Sequence, residues 1–72
     1  MRRLDSSALF AALDQQRVAR GLAWSDVARE TGVSVATIKR TDHGGRMEVD
    51  GMLALVGWLG VAVETFVRTS DG

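Results

Sequence analysis

The twenty residues WSDVARETGVSVATIKRTDH, residues 24–43, decide the fold of this chain. Apolar and small residues recur at helical spacing on both sides of Gly32, so the stretch predicts two short helices joined by a turn. Glycine tolerates the left-handed backbone that such a turn requires, and Ser34 is expected to cap the second helix. Ala28 is small where we expect the two helices to cross closely. This layout predicts a helix-turn-helix.

Within this stretch, four positions indicate which sides of the two helices face inward. Val27 and Ile38 are expected to lie in the core. Thr31 and Thr41 occupy positions where an aliphatic residue is expected, and each can still bury a methyl group. The stretch therefore predicts a core with two polar substitutions.

Outside this stretch, capping residues and glycines mark the bounds of further helices. The expected starts and stops are, in chain order, Ser6 or Ser7, Gly21, Gly44 with Gly45, Glu48 with Asp50, and Gly60. Residues 63–68 are expected to add a fifth helix of one or two turns. The sequence thus predicts one all-α domain, a compact five-helix bundle over residues 1–68, followed by a frayed tail at residues 69–72.

The composition excludes several classes of site. The 72 residues include nine Lys and Arg against nine Asp and Glu, a formal net charge of zero, with no Cys and one His. Disulfides and metal cages built from Cys or several His are therefore excluded, and we expect no metal and no cofactor. A small single core leaves little room for a deep pocket, and no nucleophile, base and orienting group can be combined, so we expect no enzyme.

Nothing in the sequence predicts export or insertion into a membrane. The longest apolar stretch, residues 52–63, has 12 residues, whereas a helix that spans a membrane needs about 20. The apolar patch that follows Arg2 and Arg3 is too short for a signal peptide, whose apolar core has about 7–15 residues. We therefore expect a cytoplasmic protein.

The residues that mark these helices also carry a resemblance, which extends over about residues 9 to 67. The matching positions are Arg17, Gly21-Leu22, Val27-Ala28, Thr31-Gly32-Val33-Ser34, Thr37-Ile38, Asp42, Gly44, Leu53, Leu59-Gly60-Val61 and Phe66. At these positions the chain resembles the Cro/repressor-type (Xre-like) helix-turn-helix proteins of phages and bacteria. The resemblance implies a lambda-repressor-like DNA-binding domain whose third helix enters the major groove. It also implies an ion pair between Arg17 and Asp42 that ties helix 1 to the end of helix 3.

The same resemblance implies a set of DNA-binding residues on helix 3 and around it. Val35, Ala36 and Arg40 would face base edges, with Lys39 beside them. The rest of the set lies near phosphates or at the start of the helix: Trp24, Ser25, Ser34, Thr37, His43 and Gly45 or Arg46. Both Val35 and Ala36 are apolar, so they can contact only a thymine methyl group, and Arg40 alone in the set can form a bidentate contact with guanine.

Two parts of this set have a second interpretation. Lys39, Arg40, His43 and Arg46 form a local basic cluster that also fits a solvated helix face, although its place on helix 3 favours phosphate contacts. Trp24 fits core packing against Leu22 and helix 3, and its indole N–H also fits donation to a phosphate. The two roles of Trp24 are compatible.

Helix 4 carries more apolar residues than one core-facing stripe requires. That stripe is expected at Val49, Met52, Leu53, Val56 and Leu59, which leaves Leu55 and Trp58 on a separate face. Either helix 4 is buried all round, or this second face forms a dimer interface. The expected interface residues are Leu55, Trp58, Val63 and Val67.

The sequence therefore predicts a small transcriptional regulator that binds double-stranded DNA sequence-specifically, as a homodimer on a two-fold site. The alternative is a protein-interaction module, such as the antitoxin partner of a toxin, with weak or no DNA readout of its own. The zero net charge and the apolar Val35-Ala36 pair favour this alternative.

Overall fold

A computed structural model of the chain describes residues 2–43 and 47–69. In chain order, these residues form strand β1 (Arg2–Leu4), helices α1 (Ser6–Ala19), α2 (Trp24–Thr31) and α3 (Val35–Arg40), a 3-10 turn (Thr41–His43), helix α4 (Val49–Leu59), a second 3-10 turn (Val63–Phe66) and strand β2 (Val67–Thr69). The described part of the chain is mostly helical, as the sequence predicts. The expected helix stop at Gly44 and Gly45, the expected phosphate contact of Gly45 or Arg46, and residues 70–72 of the expected frayed tail lie outside the described residues.

Helix α1 begins one residue earlier than its predicted caps. Its N-cap is Asp5, whose Oδ1 accepts a hydrogen bond from the N–H of Ala8 at 3.0 Å. Ser6 and Ser7, the predicted caps, are the first two residues of the helix instead. An acidic side chain at the N-cap both satisfies a free N–H group and lies favourably at the positive end of the helix dipole.

Helix α2 has the predicted bounds and α3 begins where predicted, because their capping groups are local in sequence. Helix α3 ends at Arg40, earlier than the predicted end near His43, and residues 41–43 form a 3-10 turn. Gly32 ends α2 in the left-handed conformation, with φ of 76°, which costs glycine little. Ser34 caps α3, since its Oγ accepts a hydrogen bond from the N–H of Thr37 at 3.2 Å. The turn between the two helices thus consists of residues 32–34.

The core forms where α1, α2, α3 and α4 meet. Its buried hydrophobic side chains are Leu9, Leu13, Val27, Val33, Ile38, Leu55, Val56 and Phe66. Val27 and Ile38 are fully buried, as predicted. Thr41 is buried as well, and its Oγ1 donates to the carbonyl oxygen of Ile38 at 2.6 Å. The hydroxyl therefore has a partner, which removes most of the cost of burying it.

Helix α4 turns to the core only part of the stripe that the sequence predicted, namely Met52, Val56 and Leu59. Leu55 is 0% exposed, whereas Val49 is 64% and Leu53 is 51% exposed. Placing Val49 and Leu53 in the core stripe was therefore wrong, and so was placing Leu55 in a dimer interface. Because α4 is apolar nearly all round, its pattern does not determine which side faces inward.

The predicted fifth helix is a single 3-10 turn followed by strand β2. β2 pairs antiparallel with β1 in a two-stranded sheet, with Leu4 opposite Val67 and Arg2 opposite Thr69. The β-branched residues near the end of the chain favour this extended conformation over a helix. Thr69 consequently belongs to the sheet, although the sequence placed it in the tail.

The last two residues predicted to form a dimer interface are only half-buried. Val63 packs against the core from the second 3-10 turn. Val67 lies in β2, directly after Phe66, whose side chain is buried. Part of the surface expected to contact a second protomer is therefore already used within the first.

Candidate nucleic-acid interface

Helix α3 is held to the rest of the molecule by its inner side only. Ile38 is fully buried on that side, and Val33 in the preceding turn is 8% exposed and belongs to the same core. On the outer side, Ala36, Lys39 and Arg40 are exposed. A helix of six residues cannot be stable by itself, so these buried contacts fix the position of its outer face.

The cationic side chains on this outer face form no ion pair with a described carboxylate. Neither Lys39 nor Arg40 forms a salt bridge with a described carboxylate, whereas Arg17 pairs with Asp14 and Arg29 with Asp26. His43, in the 3-10 turn that follows α3, is exposed too. The positive charge of α3 is therefore available to an anionic partner.

The start of α3 carries two hydroxyl groups that bond to each other. Ser34 Oγ donates to Thr37 Oγ1 at 2.8 Å, while Ser34 Oγ also accepts the Thr37 N–H. The hydroxyl hydrogen of Ser34 is used in this bond, and that of Thr37 remains free to donate. Of the two residues between them, Val35 is half-buried and Ala36 is exposed, so Ala36 is the more accessible to a ligand.

Trp24, the first residue of α2, is mainly a packing residue. Its ring stacks on Phe10 at a centroid distance of 5.3 Å and an interplanar angle of 22°. The guanidinium carbon of Arg17 lies 4.8 Å from the centre of the same ring. Within the described residues the indole N–H has no hydrogen-bond acceptor, and the neighbouring Ser25 is exposed. The ring of Trp24 thus packs on α1 while its indole N–H remains free to donate a hydrogen bond.

The predicted ion pair between Arg17 and Asp42 is not formed. Arg17 instead donates from Nε and Nη2 to Asp14 Oδ1, at 3.2 and 2.8 Å, and from Nη1 to the carbonyl oxygen of Leu22 at 2.9 Å. Asp14 lies one helical turn before Arg17, so it reaches the guanidinium without crossing to another helix. Asp42 is exposed in its 3-10 turn.

No family model matches this chain, and no curated protein or solved structure matches it either. The candidate interface rests on the chain's own residues and geometry. Within residues 2–43 and 47–69, no helix is long and apolar enough to cross a membrane. The same residues contain no group of three or more His, Asp or Glu side chains placed to hold a metal ion.

An open groove lies beside α3, and the sequence alone did not reveal it. It has a volume of about 670 Å³ and runs between the turn at residues 32–34 and the first half of α4. Arg40 lines it together with Glu48 and Asp50. These two acids would repel phosphates, so an anionic ligand of Arg40 is expected to approach from the side away from α4. The juxtaposition comes from packing between helices, which no local pattern encodes.

Proposed function

We propose that this protein binds double-stranded DNA through α3 and acts as a small transcriptional regulator in the cytoplasm, working as a homodimer. The observation that supports this most is the outer face of α3, where Lys39 and Arg40 are exposed and not paired with any described carboxylate. A second helix that follows a short turn and exposes such a face is the layout of a helix-turn-helix, whose second helix lies in the major groove.

Two side chains of α3 are suited to contact bases. Arg40 can donate two parallel hydrogen bonds to O6 and N7 of guanine. Ala36 is small and exposed, so it can contact the methyl group of thymine. Val35 is half-buried and contributes less of its surface than the sequence suggested. In this proposal each protomer contacts bases directly at only two points, one polar and one apolar.

The remaining groups are suited to contact phosphates. Lys39 and His43 supply charge, and the hydroxyl groups of Thr37 and Ser25 and the indole N–H of Trp24 supply neutral donors. Ser34, by contrast, is occupied as the cap of α3. Since the chain has a net charge of zero, nonspecific affinity is expected to be low, because it comes mainly from neutralised phosphates.

The test is a binding titration with a labelled duplex selected from a random pool, using two arginine variants. Arg40→Gln removes the proposed guanine contact and should cost about 1–3 kcal/mol of binding free energy. Arg20→Gln removes one guanidinium as well, but from the end of α1, where it lies 4.7 Å from the centre of the Trp58 ring. This control should bind the duplex like the parent protein, and circular dichroism checks that both variants are folded.

Two outcomes would contradict the proposal. If Arg40→Gln and Arg20→Gln lose equal affinity for the duplex, overall charge, and not a contact made by α3, determines affinity. Unchanged binding by Arg40→Gln together with Lys39→Ala would remove α3 from the interface.

The second candidate is a protein-interaction module, such as the antitoxin partner of a toxin. Two observations favour it: the zero net charge and the acids Glu48 and Asp50 beside Arg40 in the groove. Such a surface fits a partner with mixed charges better than it fits a polyanion. If the parent protein binds no duplex even at the lowest salt concentration, this candidate replaces the first.

A further inference from the structure

Helix α4 exposes an apolar stripe that nothing in the described part of the chain covers. Val49 is 64% exposed, Leu53 is 51% exposed, and Gly57 is exposed as well. These residues follow one another at intervals of four, so they lie on one face of the helix. The opposite face carries the fully buried Leu55.

We propose that this stripe binds a second copy of the chain, with the two α4 helices packed antiparallel about a two-fold axis near Leu53. The proposal rests on the homodimer part of the proposed function and replaces the interface predicted from the sequence. It does not depend on DNA, so it is tested without DNA.

The shape of the stripe is self-complementary. Val49 lies four residues before Leu53 and Gly57 four residues after it, so a two-fold axis at Leu53 places Val49 of one protomer beside Gly57 of its partner. A Cβ built on Gly57 would have no neighbour within 4 Å, and the space over this glycine is therefore open. A valine side chain fits over a glycine backbone, as an isologous interface of closely packed helices requires.

The charges of α4 select the antiparallel arrangement. Glu48 and Asp50 lie at its start, and its last turn contains no basic residue. A parallel pair would place the four carboxylates of two protomers together. In an antiparallel pair about Leu53, Glu48 lies beside residue 58 of the partner and Asp50 beside residue 56. Along the helix axis the two Glu48 residues are then about 15 Å apart and the two Asp50 residues about 9 Å apart, comparable to or greater than the Debye length of about 8–10 Å. The zero net charge of the chain removes long-range repulsion between copies.

The size of the stripe predicts a weak dimer. A standard interface covers about 800 Å² per partner, about a sixth of this chain's 4685 Å² of accessible surface. A face of three helical turns covers less, and interfaces in this smaller class are transient. We therefore expect a dissociation constant between about 10 μM and 1 mM, corresponding to a modest association free energy.

Sedimentation equilibrium of the full chain, from about 10 μM to 1 mM and without DNA, tests the proposal with a pair of valine variants. Val49→Asp should leave the protein monomeric throughout this range, because it buries a charge in the interface. Val18→Asp is the matched control, since Val18 is 62% exposed, on α1. This control should dimerise like the parent protein.

A pair of glycine variants tests the antiparallel register and separates association from folding. Ala favours a helix over Gly, so Gly57→Ala and Gly51→Ala should each shift the unfolding equilibrium toward the folded state by about two- to fivefold. Gly57→Ala should nevertheless weaken the dimer about fivefold or more, because its methyl group takes the place of the partner's Val49. Gly51 faces Met47, at 3.6 Å from an added Cβ, and Gly51→Ala should leave the dimer unchanged.

Each contrary result overturns a stated part of the proposal. A parent protein that stays monomeric at 1 mM shows that a second copy does not cover the stripe. If Val49→Asp and Val18→Asp weaken dimerisation equally, the dimer interface does not lie on this stripe. An unchanged dimer in Gly57→Ala rules out the antiparallel register. If Arg40→Gln binds the duplex like the parent protein while the dimer stays intact, only the DNA-binding proposal fails, so the two proposals fail separately.

Discussion

Helices α3 and α4 line the same groove and present opposite chemistry to solvent. The outer face of α3 carries two exposed cations, Lys39 and Arg40, whereas the outer face of α4 carries exposed Val49 and Leu53. The first surface attracts a charged partner at a distance, and the second gains free energy only when water leaves it. A chain of zero net charge can therefore hold two recognition surfaces that respond to different conditions.

The largest expected effect tests which side of α4 faces inward. Leu55→Ala should destabilise the protein by about 2–5 kcal/mol, since Leu55 is fully buried and the change leaves a cavity. Leu53→Ala should change stability by less than about 0.5 kcal/mol, because Leu53 is half exposed and makes few core contacts. Urea denaturation at a few micromolar, where the chain is expected to be monomeric, measures both.

Comparable losses of stability in Leu55→Ala and Leu53→Ala would contradict the contrast drawn between the surfaces of α3 and α4. Leu53 would then face the core, and α4 would expose the face predicted from the sequence. The stripe of Val49, Leu53 and Gly57 would no longer be a surface.

The second prediction separates the two surfaces by their response to salt. If Lys39 neutralises one phosphate in each protomer of the DNA-bound dimer, raising the salt concentration from 50 to 200 mM should weaken DNA binding about tenfold, or about 1.5 kcal/mol. Self-association through α4 should change less than about twofold, since its contacts are apolar. Anisotropy titrations and sedimentation in the same buffers measure the two responses.

A lysine variant supplies the control for this salt experiment. Lys39→Ala should reduce the slope of the logarithm of the binding constant against the logarithm of salt concentration by about one for each protomer of the DNA-bound dimer. An unchanged slope would exclude Lys39 from the phosphate contacts, and an equally steep slope for self-association would mean that α4 pairs through charges.

The sequence predicts the region around α2 and α3 better than it predicts α4. Around Gly32 the apolar residues alternate with polar ones, so Val27 and Ile38 have only one side of each helix on which to lie, and both are buried. In α4 every side of the helix offers an apolar residue, so Leu53 and Leu55 fit the core equally well in sequence. Packing against α1 and α2 decides between them.

Contacts between distant residues are the part of the candidate site that the sequence could not provide. Arg17 has an acid one turn away at Asp14, and this local partner takes the place of Asp42. The acids Glu48 and Asp50 line the groove with Arg40 only because α4 packs beside α3. Capping signals, in contrast, are local, and the structure confirms the predicted cap at Ser34.

The third prediction concerns how firmly α3 is held in place. Ser34→Ala removes the side-chain cap of a six-residue helix and should destabilise the protein by about 0.5–2 kcal/mol. Ser7→Ala is the control, because Ser7 is exposed within α1 and is not its cap. Thermal melts followed by circular dichroism compare the two. Equal melting temperatures would show that Ile38 and Thr41 hold α3 without the cap.

The smallest expected effect concerns the polar link between α2 and α4. Trp58 Nε1 donates to Glu30 Oε1 at 2.9 Å, and Arg20 lies over the same ring. Because Glu30 is exposed, losing this bond in Glu30→Ala should cost only about 0.5 kcal/mol. Glu30→Gln keeps an oxygen acceptor and should cost less.

Fluorescence measures this link in a Trp24→Phe background, where Trp58 is the only emitter, together with urea denaturation. The emission of Trp58 should shift in Glu30→Ala and stay nearly unchanged in Glu30→Gln. If Glu30→Ala instead costs more than about 2 kcal/mol, this bond is part of what positions α4. The surfaces of α3 and α4 would then be coupled through α2, because α2 also joins α3 through the turn at residues 32–34. If Glu30→Ala costs only about 0.5 kcal/mol of stability, the surfaces of α3 and α4 act independently, as their different chemistry requires.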